Sequence, residues 1–409
     1  MKHLLALLTL LCSACLSPAE NPDSVGLVQK AARIHETILT IDSHNDTPMR
    51  MSRGEFDWSV RHDPKLDHSR VDLLRMKEGG LDAAFFAVFV SQGKRTQEGY
   101  NKAKKLAMEI LDSLHISIRR DSSLVGLALN PSDARHLHRE RKRIAFIGME
   151  NGYPLGRDIS LVKTFHDRGV RYITLVHTRN NDLCDSSTDS LAFGGLGPFG
   201  KEVVREMNRL GMMIDVSHAS DFAFYDILEE SRSPVIASHS CARALCDNPR
   251  NLDDEMLFAL AQNGGVIQMC ILSDYVKASA PNPARDSARA ALRKKFRDFE
   301  NLSDEEMKQA RKEWYALEDQ YPGELATVSD VVDHIDHIVQ VAGIDHVGIG
   351  TDFDGGGGVT GCTDVSEMGN ITLELVRRGY SEKDIRKIWG GNLMRVMEEN
   401  RRIARIASD

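Results

Sequence analysis

Apolar residues gather into short runs at 39–42, 82–90, 144–149, 172–176, 212–216, 234–237, 265–270 and 346–350. Several runs are near-continuous where a half-exposed strand would alternate, which is the pattern of strands buried on both faces of a parallel sheet. Segments able to form helices separate most of them, at 98–114, 158–167, 200–210, 220–230, 253–262 and 328–341, after a first helix at 27–38. Eight strand-like runs alternating with helices predict an α/β fold, a (β/α)₈ TIM barrel, because eight is the count a closed barrel requires. A ninth run at 124–129 reads as a peripheral strand.

Three stretches break this rhythm. Residues 275–321 are polar, rich in Ala, Arg, Lys and Glu in the middle, and predict a helical pair inserted before the last strand. Ser303 stands there as a helix cap, with Glu306 at the capping-box position. Residues 355–358 are four glycines, read as a flexible turn; the lysine and the serine or threonine of a phosphate-binding loop are lacking. At the start, Lys2 and His3 precede apolar residues 4–11 and then Cys12-Ser13-Ala14-Cys15. This run is too short to span a bilayer and reads as a bacterial secretory signal peptide over 1–15. Ser13, Ala14 and Cys15 resemble a lipoprotein cleavage box, although Cys12 stands where leucine is usual. The expectation is an exported protein, periplasmic or membrane-anchored through lipid on Cys15, with a tether at 16–27 and one barrel domain at 28–409.

Composition narrows the class. The chain has 409 residues, 42% hydrophobic and 27% charged, enough for one large barrel. Its net charge of -8 argues against nonspecific nucleic-acid binding, which wants a basic surface. Beyond the leader the cysteines are Cys184, Cys241, Cys246, Cys270 and Cys362, with no Cys-x-x-Cys for a sulfur-ligated zinc. This is no disulfide scaffold, though a Cys246–Cys270 pair is conceivable in an exported chain.

Six of the runs lead into residues that can hold a metal or move a proton: His44 with Asp46, Glu150, His177, His218, His239, and Asp352 with Asp354. A core needs none of them there, whereas the mouth of a parallel barrel uses such residues for chemistry. His44 and Asp46 are two apart, which puts both on one face of a regular strand; a surface turn accounts for the pair as well. Glu150 is costly to bury without a partner, and can bridge two divalent ions, pair with an arginine or cap a helix. His218 and His239 end runs one β/α unit apart and so present two imidazoles at one face. His177, in polar company, can bind metal or substrate. Arg250 suits a bidentate carboxylate clamp, or is a surface arginine. Asp352 can shuttle a proton, with Asp354 its rival or a turn cap. His334 and His337, on one helix, and His346, at the start of the last strand, read as structural.

Together these residues resemble the membrane dipeptidase family, also called renal dipeptidase or peptidase family M19, in a bacterial member. The resemblance rests on TIDSHNDTP, GMENG, RYITLVHTRNN, GMMIDVSH, VIASHSCARALCDNPRNLDDEML, AGIDHVGIGTDFDG and LELVRRGYSEKDIRKIWGGNLMRVM, an ordered set spanning nearly the whole mature chain. It implies an amidohydrolase-like barrel with two zinc ions per chain. By motif, His44, Asp46 and Glu150 resemble the ligands of the more buried ion. Glu150, His218 and His239 resemble those of the second, so that Glu150 bridges. His177 and Arg250 match a substrate-binding histidine and arginine, Asp352 matches an acid/base aspartate, and Tyr153 is expected to line the pocket. The implied reaction is hydrolysis of a free dipeptide by a hydroxide held between the two ions. His177 would stabilise the oxyanion, Asp352 would move the proton to the departing amine, and Arg250 would bind the C-terminal carboxylate. The family is commonly homodimeric.

Two readings compete. Another amidohydrolase acting on a different small amide would share the zinc chemistry but lacks the NPRN loop and GMENG. A non-catalytic ligand-binding lipoprotein would be expected to have lost a ligand or Asp352, and this chain keeps them all.

Overall fold

Burial on both faces makes each predicted run a strand in the computed structural model, which describes residues 22–406 apart from 55, 300, 301 and 303. The strands are β1 (Ile41–Asn45), β2 (Ala83–Phe89), β3 (Val125–Leu127), β4 (Arg143–Glu150), β5 (Val170–Thr174), β6 (Met213–Asp215), β7 (Ile236–Ser240), β8 (Val266–Met269) and β9 (Val347–Ile349). Eight pair in parallel in the order β1-β2-β4-β5-β6-β7-β8-β9, while β3 pairs the start of β4 off this circuit, as the peripheral run predicted. Helices follow most strands, giving the (β/α)₈ barrel. The circuit closes through irregular backbone: Asp352 N–H donates to the His44 carbonyl (3.0 Å) and Asp46 N–H to the Phe353 carbonyl (2.9 Å). Three candidate site residues, His44, Asp46 and Asp352, are thus fixed by the bonds that shut the barrel.

Residues at the strand starts, among them Ile41, Phe85, Phe146, Met213 and Ile236, form a buried interior floor. Leu393 and Met397 of the helix Asn392–Ile406 pack into the same cluster and plug that end. Functional residues are therefore confined to the opposite, carboxyl-terminal mouth.

Several expectations shift. The first strand, predicted at 39–42, continues to Asn45, and its register against β2 is irregular between Asp42 and Asn45. His44 therefore lies in the strand, and the regular alternation assumed for His44 and Asp46 does not hold; irregular registers of this kind re-aim side chains beside active sites. The first helix runs Pro22–Thr37, so the end of the predicted tether is helical, proline being at home in a first helical turn. The predicted leader with Cys15, the rest of the tether and the Ser303 cap lie outside the described residues. Among the described residues no helix is long and apolar enough to cross a membrane. The insertion is a helical pair, Pro283–Lys295 and Asp304–Gln320, with its own small core of Leu292, Phe296, Ala310 and Leu317. Tyr315 of that pair stacks on His68 of the barrel at 4.0 Å.

The five cysteines of the described residues are all buried and free. The Cys246–Cys270 pair is not formed: the Cys270 sulfur accepts from Leu272 N–H, and Cys246 lies against the Asp274 carbonyl. His334 accepts from Ala242 N–H at Nδ1 and donates from Nε2 to the Val276 carbonyl (2.8 Å), tying three segments together. His337 pairs with Asp254 and His346 bonds the Gly265 carbonyl, so these three histidines hold the scaffold.

Candidate metal centre

Seven side chains from six strand ends converge at the mouth. Glu150 is the last residue of β4, and His44 and His239 lie in β1 and β7. Asp46, His177, His218 and Asp352 stand in the turns after β1, β5, β6 and β9. His218 (φ 68°) and Asp352 (φ 59°) have left-handed backbone, as does Asn151 (φ 73°) just after Glu150. Such conformations cost about 1–3 kcal/mol each in a residue other than glycine and cluster where side chains must be aimed.

Glu150 stands at the middle of the set and divides its oxygens. His44 Nε2 lies 3.6 Å from Oε2 and 3.7 Å from Asp46 Oδ2. On the other side His218 Nε2 is 3.0 Å and His239 Nε2 3.5 Å from Oε1, and the two nitrogens are 3.0 Å apart. Donors about 2.0–2.2 Å from one tetrahedral ion stand roughly 3.3–3.6 Å from each other. The separations of 3.5–3.7 Å lie at that spacing, and the two of 3.0 Å about His218 are closer than it. His177 Nε2, 3.7 Å from Oε1, is near enough to join the second. Asp352 groups with His44 and Asp46.

The donors are also prepared. Tyr172 donates its hydroxyl proton to the Ser43 carbonyl (3.2 Å), so its lone pair takes the proton of His44 Nδ1 (2.8 Å). Ser238 donates to Asp215 Oδ2 (2.5 Å) and accepts from His239 Nδ1 (2.8 Å). Nδ1 of each ring is thereby engaged and Nε2 is turned toward the centre, the arrangement that orients metal-binding histidines. Asp215 is itself fixed by Thr174 Oγ1 and by the backbone N–H groups of Ser217 (3.0 Å) and Ser238 (2.8 Å). Asp42 does the same for β9, accepting from Thr351 N–H and Oγ1, both at 2.7 Å. None of Tyr172, Asp215 or Asp42 was singled out from the sequence. Their signal is an acid or a tyrosine inside an apolar run, MMIDVS, ILTIDS and RYITLV.

Electrostatically the centre calls for positive charge. Burial and the neighbouring Glu150 push Asp46 up to about 6. Burial, with Cys270 and Asp46, pushes Asp352 well above the carboxylate range. Burial would raise Glu150 too, but His177, His44, His218 and His239 outweigh it and hold it well below its ordinary value. Burial lowers His44, yet Tyr172, Glu150 and Asp46 reverse that and hold the ring well above its ordinary value. His218 is pushed well down by burial and Arg250, and His239 to about 4 by burial and His44, so both are neutral donors. His44 Nε2 and Asp46 Oδ1 are buried with no hydrogen-bond partner among the described residues. Orphaned donors, neutral imidazoles and repelling carboxylates fit divalent cations with nitrogen and oxygen ligands.

Arg250 is buried at 3% exposure, against the surface reading. It spends Nη2 on the His239 carbonyl (3.0 Å), lies over the Tyr275 ring at 5.3 Å, and keeps a buried Nε without a partner among the described residues. Asp354 accepts from Thr47 Oγ1 (2.8 Å) and Arg70 N–H (2.9 Å) and faces Arg50 at 3.3 Å, so its carboxylate is committed to local structure. A cavity of about 930 Å³ opens beside His177, and Tyr153 is in its wall. The Tyr153 hydroxyl is occupied by the Lys94 carbonyl (2.7 Å), leaving its ring to the cavity. The four-glycine turn is ordered: the N–H groups of Gly355, Gly356 and Gly357 all donate to the Asp352 carbonyl. A Cβ on Gly355 would overlap the carboxylates of Asp46 and Asp352.

Residues 28–408 match the family model described as membrane dipeptidase, peptidase family M19. The dipeptidase tcpJ of Claviceps purpurea is 34% identical over 367 residues, 88% of this chain and 76% of the relative. Dipeptidase 3 of Homo sapiens is 33% identical over 393 residues, 94% and 70%. Among solved structures, the probable dipeptidase PvdM from Pseudomonas aeruginosa superposes with a TM-score of 0.80 at 34% identity, covering 94% of this chain and 100% of that one.

Proposed function

The chain belongs to the membrane dipeptidase family, peptidase family M19, and on that premise we propose that it hydrolyses the peptide bond of free dipeptides with two zinc ions. The observation that carries this reading is the division of Glu150, Oε2 toward His44 and Oε1 toward His218 and His239. His44, Asp46 and Glu150 would hold one ion, and Glu150, His218 and His239 the other. Such ions, when bound, supply Lewis acidity that lowers the pKa of water and polarises a carbonyl.

The protein's own groups do the rest. Asp352, buried beside Asp46 and raised in pKa, takes the proton of the attacking water and passes it to the departing amine. His177, kept neutral by burial, donates a hydrogen bond to the developing oxyanion. Arg250 offers its remaining N–H groups to the substrate's C-terminal carboxylate, a charge that long peptides do not present at that distance from the bond cleaved.

Arg250→Ala should therefore lower kcat/KM for free dipeptides about 100-fold or more, and far less for the same dipeptides as C-terminal amides. Equal losses on both would show that Arg250 does not read the carboxylate. Gly355→Ala should weaken metal binding and turnover about 10–100-fold with little change in melting temperature, because the intrusion is into two site carboxylates. Calorimetric zinc titration and thermal melts check this; normal affinity would mean the turn yields.

We also propose export and a lipid on Cys15, on the strength of residues 2–15. Mass spectrometry of the mature N-terminus from the native host tests it, and a chain starting elsewhere without diacylglyceryl mass would refute the anchor.

A further inference from the structure

The cavity beside His177 is walled by charge of mostly one sign. Lys94 and Lys102 come from the segment after β2, Arg179 from the turn after β5 and Arg293 from the inserted helix Pro283–Lys295. Among the described residues Glu98 is the one acid of the lining. This runs against the chain as a whole, where Asp and Glu outnumber Lys and Arg by 60 to 52. Glu98 is matched by Lys102 at 2.8 Å, and Arg179 also acts on Asp189 outside the cavity. The lining still sets four cations against one carboxylate, and a cleft lined by one sign concentrates the opposite charge. Phe89 and Phe299 supply apolar wall on which methylene groups can rest.

The order of strands around the barrel says which part of a dipeptide meets this wall. Arg250 and Tyr275 stand beyond β7 and β8, the acids Asp46 and Asp352 beyond β1 and β9, and the cavity beyond β2, β4 and β5. With the substrate's carboxylate at Arg250 and its ammonium group toward the acids, the side chain of its amino-terminal residue is left to enter the cavity. We propose that this cavity selects dipeptides whose amino-terminal residue carries an anionic side chain, glutamate or aspartate. The inference rests on the dipeptidase reading above and names its substrate class.

The test compares Glu-Ala, Ala-Ala, Lys-Ala and Ala-Glu on the zinc-loaded full chain. Glu-Ala should exceed Lys-Ala in kcat/KM by about tenfold or more, with Ala-Ala between them. The gap should narrow as sodium chloride rises from about 0.05 to 0.5 M, since exposed cations are screened. Lys94→Glu with Arg293→Glu should shrink or invert the Glu-Ala to Lys-Ala ratio, and Glu98→Gln should widen it. Lys-Ala turned over as fast as Glu-Ala, Ala-Glu favoured over Glu-Ala, or variants that lower all four substrates in equal proportion would each overturn the proposal. If no dipeptide is hydrolysed, the dipeptidase reading fails by itself. Calorimetric binding of Glu-Ala and Lys-Ala then decides the cavity's preference, and equal affinities would overturn it.

Discussion

Asp352→Asn should cut turnover of dipeptides about 10²–10⁴-fold while metal content and fold stay intact, because general acid–base catalysis is worth that much. The substitution is well suited to the question. Asparagine accepts the left-handed backbone at this position (φ 59°) at least as readily as aspartate, so the barrel-closing bond from Asp352 N–H to His44 is kept. What is lost is a carboxylate that can take and return a proton. Asp354→Asn is the control. Its carboxylate is occupied by Thr47, Arg70 and Arg50, so the change should cost about 1–3 kcal/mol of stability and leave kcat near normal. Near-normal kcat in Asp352→Asn, with activity abolished in folded, metal-loaded Asp354→Asn, would mean the wrong carboxylate has been assigned.

Glu150→Gln should weaken both metal sites together. Glu150 presents one oxygen to each side of the centre, and four histidines hold it ionised. A neutral amide keeps the shape but has one carbonyl oxygen and no charge, so it can serve at most one side. Elemental analysis after dialysis should fall from about two equivalents to less than one, and activity by at least about 100-fold. Retention of two equivalents with normal activity would remove Glu150 from the bridging position.

The barrel was legible because strands buried on both faces write continuous apolar runs, and β2, β4 and β8 lie almost where the pattern put them. The centre was legible for a related reason: His44, Glu150, His218, His239 and Asp352 interrupt or follow those runs with polarity that a core would reject. The roles proposed for them rest on the resemblance of whole motifs rather than on spacing. The supporting residues stayed hidden, since Asp215, Asp42 and Tyr172 lie inside apolar runs and their partners are remote in sequence. Pro22 as a helix start was masked by Gly26 close behind it. Read locally, the glycine run is only a flexible turn, because close approach of Gly355 to two carboxylates depends on a fold closure that local sequence does not encode. The cavity wall, shared by the β2 segment and the inserted helices, has no local signature at all.

Stripping the protein of metal and titrating zinc back while following dipeptide hydrolysis tests the central claim most directly. Activity should be absent in the stripped protein and rise to a plateau at about two equivalents of zinc per chain. Full activity at one equivalent, or undiminished hydrolysis without metal, would contradict it.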